Sequence, residues 1–256
     1  MSKLEIRQFP CLSDNYGYLV HDPASGETVA IDTPDADAYL AAAAEAGWTI
    51  TQIWNTHHHF DHAGGNAALK VATGARITAP AYDQHRISPA DVLVEDGDTV
   101  QLGDISADIV FTPGHTTGHI VYHFASEHIA FVGDTLFALG CGRLFEGSPA
   151  DMWTSLSRLR RWPDDTVLYC AHEYTQSNAA FALSIDPDNA ALKTYADEVA
   201  ALRARGLPTV PTRLAKEKAA NPFLRADDPA LAAQIGLAGK DAVSVFAEVR
   251  ARKDAF

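Results

Sequence analysis

Cysteine is scarce in this chain of 256 residues. Cys11, Cys141 and Cys170 are an odd number with no C-x-x-C pair. That fits a reducing cytosol better than a disulfide framework. Long apolar runs are also missing, since no segment approaches the roughly 20 residues of a membrane span. The opening Met1-Ser2-Lys3-Leu4-Glu5 has no apolar stretch of the kind a secretory leader needs. Positive charge is in deficit: 20 Lys and Arg stand against 33 Asp and Glu, for a net charge of −13. A nucleic-acid partner is therefore not expected, because no basic stripe is there to neutralise phosphates. The expectation is an ordinary cytoplasmic globule, 47% apolar and 21% charged. Its length allows one large domain or one domain plus a smaller one.

Histidine is what the chain does have, and it is concentrated. His57, His58, His59, Asp61 and His62 fall within six residues, after the apolar Ile50 to Trp54 and before Gly64-Gly65. Imidazole and carboxylate together suit zinc, iron or manganese. If a strand end opens here into a helix, His57 and His59 point one way and His58 the other. Asp61 and His62 would then face the same cavity from the turn.

Taken in order, residues 4–9, 16–21 and 28–31 read as strands, with a turn at 22–26. An alanine-rich helix over 35–46 stops at Gly47, and a strand over 50–54 delivers the histidines. A helix over 61–73 stops at Gly74, followed by strands at 76–79, 91–94, 98–101 and 105–111. A hairpin is predicted over 119–124 and 128–132, a helix over 152–161 and a strand over 166–170. Beyond about 173 strand signals vanish and helices are predicted over 174–183, 189–205 and 241–253. In the last, Ala242, Val245, Phe246 and Val249 share a face. Many short strands with late helices suit two packed mixed sheets with helices outside better than a doubly wound sheet. A boundary is placed near 172.

Three further residues each follow a predicted strand beside small or turn-forming neighbours: His115 after Pro113-Gly114, Asp134 after Gly133, and His172 after Ala171. With His57, His59, Asp61 and His62 they make a set that two metals would use fully, each with three private ligands and one shared carboxylate. An aspartate can be shared because it has two oxygens.

The chain resembles the metallo-β-lactamase superfamily, whose mark is a His-x-His-x-Asp-His loop followed by spaced His, Asp and His. Within it, the glyoxalase II (hydroxyacylglutathione hydrolase) family is the one it is most similar to. The segments that single out that family are Gly140-Cys141-Gly142-Arg143-Leu144-Phe145-Glu146-Gly147, His172-Glu173-Tyr174-Thr175 and Asn221-Pro222-Phe223-Leu224-Arg225. The resemblance implies a four-layer αββα sandwich over 1–172 and an all-helical substrate-binding domain over 173–256. It also implies two divalent ions per chain, zinc first, with iron or manganese as alternatives. His57, His59 and His115 would hold one ion and Asp61, His62 and His172 the other, with Asp134 shared.

The substrate implied is a glutathione thioester, chiefly S-D-lactoylglutathione, met by Arg143, Phe145, Tyr174 and Arg225. Many relatives have Lys at 143 and Tyr at 145, and some have Lys where Asp228 stands. Altered glutathione binding is therefore expected, with Lys216 or Lys218 as assistants. The implied reaction is attack on the thioester by a hydroxide held between the ions, with Asp61 and Asp134 as the catalytic carboxylates. Cys141 and Cys170 are read as buried rather than nucleophilic, and His58 and His119 as lying outside the ligand set. A β-lactam hydrolase, a persulfide dioxygenase, a nuclease and a metal-binding module are the competing readings.

Overall fold

The computed structural model describes residues 3–87 and 89–256. Met1 and Ser2, part of the stretch read above for a leader, lie outside the described residues. The architecture is a metallo-β-lactamase sandwich with a C-terminal helical domain. By compactness the chain divides into Met1–Phe111 with Gly118–Gly133, and Thr112–Thr117 with Asp134–Phe256.

The first unit begins with β1 (Glu5–Cys11), β2 (Asn15–His21), β3 (Thr28–Ile31), α1 (Ala36–Ala46), β4 (Gln52–Trp54), α2 (Phe60–Ala63), α3 (Asn66–Thr73), β5 (Arg76–Pro80) and β6 (Val92–Val94). These six strands form one sheet in chain order, antiparallel from β1 to β3 and parallel from β3 to β6. The unit continues with β7 (Thr99–Leu102), β8 (Ile105–Phe111), β9 (Ile120–Phe124) and β10 (Ile129–Gly133), joined antiparallel in sequence.

The two-residue period of a strand sorts the core. Leu19 and Ile53 face α1 and α3, in a cluster with Tyr39, Ala42, Ala43 and Leu69. Their neighbours Tyr18 and Trp54 face the second sheet, where Tyr18 meets Phe131 edge-on at 5.5 Å and Trp54 stacks on Tyr122 at 5.2 Å. The Asp35 side chain caps α1 by accepting from the amides of Asp37 and Ala38, and Gly47 closes it at φ 71°.

The helix expected over 61–73 is in fact two. Gly64 and Gly65 interrupt it, and a Cβ on Gly65 would lie 2.6 Å from the Thr33 carbonyl oxygen. The chain passes too close to another backbone there for any side chain. The strand expected over 50–54 ends at Trp54 as expected but begins only at Gln52. Residues 55–59 are an irregular link that buried side chains hold in place.

The second unit contains β11 (Leu136–Phe137), β12 (Gly140–Cys141), α4 (Pro149–Leu159), β13 (Val167–Cys170), α5 (Thr175–Ile185), α6 (Ala190–Arg203), β14 (Thr212–Arg213), α7 (Leu214–Ala220), α8 (Pro229–Gln234) and α9 (Ala242–Ala255). Ser148 starts α4 with a reciprocal capping box to Asp151, three residues earlier than sequence periodicity placed it. The short α7 and α8 and the β11–β12 hairpin had no periodic signal. On α9 Val245, Phe246 and Val249 are buried as expected, with Phe246 edge-on to Phe223 at 5.8 Å.

Glu217 is the buried joint of this unit. Its carboxylate accepts from the Leu139 amide at 2.8 Å, the Tyr195 hydroxyl at 2.8 Å, the Thr212 hydroxyl at 2.7 Å and the Asn221 amide nitrogen at 3.0 Å. Burial pushes its carboxyl up from the usual range, and these donors oppose that shift. Glu217→Ala leaves several buried donors without an acceptor and is expected to destabilise the protein by about 3 kcal/mol, read as a lower denaturant midpoint.

All three cysteines are free and buried. Burial pushes the Cys11 thiol up to about 12, Cys141 to about 11 and Cys170 to about 12. None is expected to react with an aromatic disulfide reagent at pH 8 until the protein is unfolded, when all three should titrate.

Candidate metal centre and its surroundings

In the first unit the site is built on Asp32, which follows β3 in a left-handed conformation at φ 48°. Its amide donates to the Trp54 carbonyl at 2.9 Å, so the aspartate is tied to the end of β4. One carboxylate oxygen accepts from the Thr56 amide at 2.7 Å. The other accepts from the Thr56 hydroxyl at 2.9 Å and from His62 Nδ1 at 2.9 Å.

Those bonds decide where the protons sit. The Thr56 hydroxyl hydrogen is committed to Asp32, so its oxygen accepts from His57 Nδ1 at 3.0 Å. His57 and His62 thus both carry hydrogen on Nδ1 and present Nε2 as a lone pair. His57 Nε2 lies 3.1 Å from His59 Nδ1, and His62 Nε2 lies 3.6 Å from an Asp61 carboxylate oxygen. Asp61 sits in the first turn of α2, where a carboxylate is favoured.

His58 turns away, as the sequence suggested. Arg86 Nη1 donates to its Nε2 at 3.1 Å, which leaves Nδ1 to donate to Asp83 at 3.3 Å. His119 is fully buried and stacks on His57 at 4.8 Å. Gly133 backs this stack at φ 48°, and a Cβ there would lie 2.6 Å from the Thr56 hydroxyl and 2.7 Å from His119 Nε2.

The second unit repeats the logic around Asp134. His115 Nδ1 donates to the Arg143 carbonyl at 2.8 Å, so its Nε2 is again a lone pair. That lone pair faces one oxygen of Asp134 at 3.3 Å, and His172 Nε2 faces the other oxygen at 3.4 Å. A neutral imidazole nitrogen and a carboxylate oxygen, both acceptors, repel at that separation unless a cation lies between them. The donor set therefore fits metal ions, and the two oxygens of Asp134 each have an imidazole partner for one. The His and Asp side chains form metal-binding triads suited to a dinuclear zinc, iron or manganese centre.

Around these ligands the second unit places aromatic and basic groups. Tyr174 stacks on His172 with centroids 4.7 Å apart and planes within 1°, and Phe137 meets both rings edge-on. Phe145 is exposed and edge-on to His115 at 5.3 Å. The Arg143 carbonyl holds His115 while its side chain is exposed.

The Arg225 guanidinium is held by Asp186 and Asp228, and Asp228 also caps α8. Lys216 pairs with Glu198 over the Tyr195 ring, and Lys218 pairs with Asp164 at 2.6 Å. Both lysines expected to assist substrate binding are thus paired with carboxylates.

Three residues escaped sequence reading. Asp32 looked like any aspartate at a strand end. Asn15, on β2, donates to the Asp61 carbonyl at 3.0 Å and to its carboxylate at 3.3 Å. Lys253, on α9, lies near Arg143, and its ammonium donates to Ser177 Oγ at 3.2 Å. Burial, Arg250 and Arg143 together hold Lys253 below the usual lysine range. Helical spacing with Arg250 was the one available signal.

The Metallo-beta-lactamase superfamily model matches residues 15–172, and the Hydroxyacylglutathione hydrolase C-terminus model matches 173–256. The hydroxyacylglutathione hydrolase of Maricaulis maris is 66% identical over 256 residues, all of both chains. That of Erythrobacter litoralis is 58% identical over 253 residues, covering 99% of this chain and 100% of its own. Among solved structures, ETHE1 from Myxococcus xanthus superposes with a TM-score of 0.70 at 28% identity, covering 96% of this chain and 90% of that one. The BLEG-1 B3 metallo-beta-lactamase superposes at 0.67 with 21% identity, covering 86% of this chain and 99% of its own, a likeness of fold alone. Matched along its whole length, the chain belongs to the hydroxyacylglutathione hydrolase family of the metallo-beta-lactamase superfamily.

Proposed function

We propose that this chain is a thioester hydrolase that converts S-(2-hydroxyacyl)glutathione, chiefly S-D-lactoylglutathione, to the 2-hydroxy acid and glutathione. The observation that carries the reading is Asp134, whose two carboxylate oxygens each face an imidazole nitrogen. That is the arrangement a carboxylate shared by two cations requires. In the proposed ligand set His57, His59 and His115 hold one ion, Asp61, His62 and His172 the other, and Asp134 both. Two such ions supply ionised water at neutral pH and polarise a carbonyl.

The protein's own groups do the rest. Asp32 keeps His57 and His62 in the tautomer that offers Nε2, and the Arg143 carbonyl does so for His115. Asp61 and Asp134 are the proposed catalytic carboxylates, orienting the attacking water. The leaving thiol has a pKa of about 8.5 and departs as thiolate without a strong general acid. No protein nucleophile is required, consistent with three buried thiols.

Glutathione is proposed to lie against Tyr174 and Phe145, with its glycine carboxylate drawn to Arg143 and Lys253. Arg225 is a weaker contact in this chain, because a substrate carboxylate must displace Asp186 or Asp228 to reach it. The catalytic part is taken as 1–172 and the substrate-binding part as 173–256. No helix of the described residues is long and apolar enough to cross a membrane. The reducing cytoplasm, where glutathione is abundant, is the proposed compartment, with the chain a monomer or weak homo-oligomer.

The metal-replete protein is expected to hydrolyse S-D-lactoylglutathione and to leave a β-lactam and glutathione persulfide untouched. Consumption of the persulfide alone, with oxygen uptake, overturns the reading. Chelation should abolish turnover, and added zinc or manganese should restore it. Lys253→Ala is expected to raise KM about 10-fold with little change in kcat, the mark of uniform binding. Arg225→Ala should raise KM less. The reverse order would move the glycine carboxylate to Arg225.

A further inference from the structure

The pair Asp61 and His62 is braced from two sides by residues that are not in the ligand set. Asp32 braces His62. Asn15 braces Asp61, and it does so in an unusual way. Its side-chain nitrogen lies 3.0 Å from the Asp61 backbone oxygen and 3.3 Å from an Asp61 carboxylate oxygen. A primary amide has two N–H donors, so one group can tie both the main chain and the side chain of a single residue.

The two partners differ in exposure. Asn15 is 5% exposed, whereas the Asp61 side chain is 40% exposed. Asn15 opens β2 and pairs with Cys11 across a three-residue turn, so its backbone is fixed by the β1–β2 ladder. A rigid, buried donor therefore meets a half-exposed carboxylate and limits its rotation into water. Entropy favours that rotation for any unbraced surface aspartate.

We infer that Asn15 is a positioning residue for the Asp61 metal position, and that it sets how tightly the second of the two ions is held. The inference rests on the ligand set proposed above. Removing a polar group that orients a metal ligand typically costs about 10–100-fold in metal affinity. Loss should fall on one ion only, because the Asp32–Thr56–His57 bonds that orient the other set do not involve Asn15.

The test uses metal-free full-length protein titrated with Mn(II). Bound equivalents are counted by elemental analysis, and spin coupling between adjacent ions is followed by electron paramagnetic resonance. Wild type is expected to bind two ions and show the coupled spectrum. Asn15→Ala is expected to keep the first ion at wild-type affinity and bind the second about 10–100-fold more weakly. At one equivalent above the first site its spectrum should be that of an isolated ion. Asn15→Asp matches the native side chain in size but cannot donate when ionised, so it should show the same loss even if the alanine variant folds poorly. The split between the two affinities is the readout that a merely structural role would not move, since general destabilisation would weaken both ions alike. Two equally tight ions in the variants overturn this inference alone. One ion in wild type overturns the dinuclear reading and this inference with it.

Discussion

Acceptors aimed at acceptors are the constraint on which the site depends. In each unit, imidazole lone pairs are fixed by a hydrogen bond on the far side of the ring, from Asp32 and Thr56 in one and from the Arg143 carbonyl in the other. In the neutral ring those outer bonds leave Nε2 no proton with which to satisfy a neighbouring carboxylate. The arrangement is unfavourable without a cation and favourable with one, so the same contacts that cost stability in the metal-free chain provide affinity for the ion.

The fold serves this purpose by placing outer partners on rigid elements. Asp32 follows β3, Asn15 opens β2, and Asp134 follows the glycine that ends β10. Close backbone approaches enforce small residues beside the ligands. A Cβ on Gly142 would lie 2.1 Å from the Asp134 carbonyl oxygen and 2.9 Å from His115 Nδ1. In the helical part, Glu217 ties the loop between β11 and β12 to α6, β14 and α7. Glu173 secures the segment after His172 by accepting from the Thr209 amide at 2.8 Å and hydroxyl at 2.6 Å.

In the proposed reading, substrate selection falls to basic groups not already paired with a carboxylate. Of the basic residues near the expected glutathione contacts, Arg225 is matched by two carboxylates, and Lys216 and Lys218 by one each. Arg143 and Lys253 differ, with Lys253 held below its usual range partly by Arg143 itself. Two cations that repel each other favour an anion between them. In a chain of net charge −13, such a local reversal is what an anionic substrate needs.

The sequence alone determined the ligand types and the family. Six residues carrying three histidines, an aspartate and a further histidine have few uses other than metal binding, and His115, Asp134 and His172 each announced a strand end by their small neighbours. Helix α1 was legible from its alanines and the stop at Gly47, and α9 because a buried face repeats every 3.6 residues. What lay beyond it was set by contacts between distant positions. The break at Gly64-Gly65 follows from the Thr33 backbone, the roles of Asp32 and Asn15 from bonds 30 and 46 residues away, and the pairing of Arg225 from Asp186. A residue's chemistry is written in its name, but whether that chemistry is free or already answered is a property of what folding brings against it.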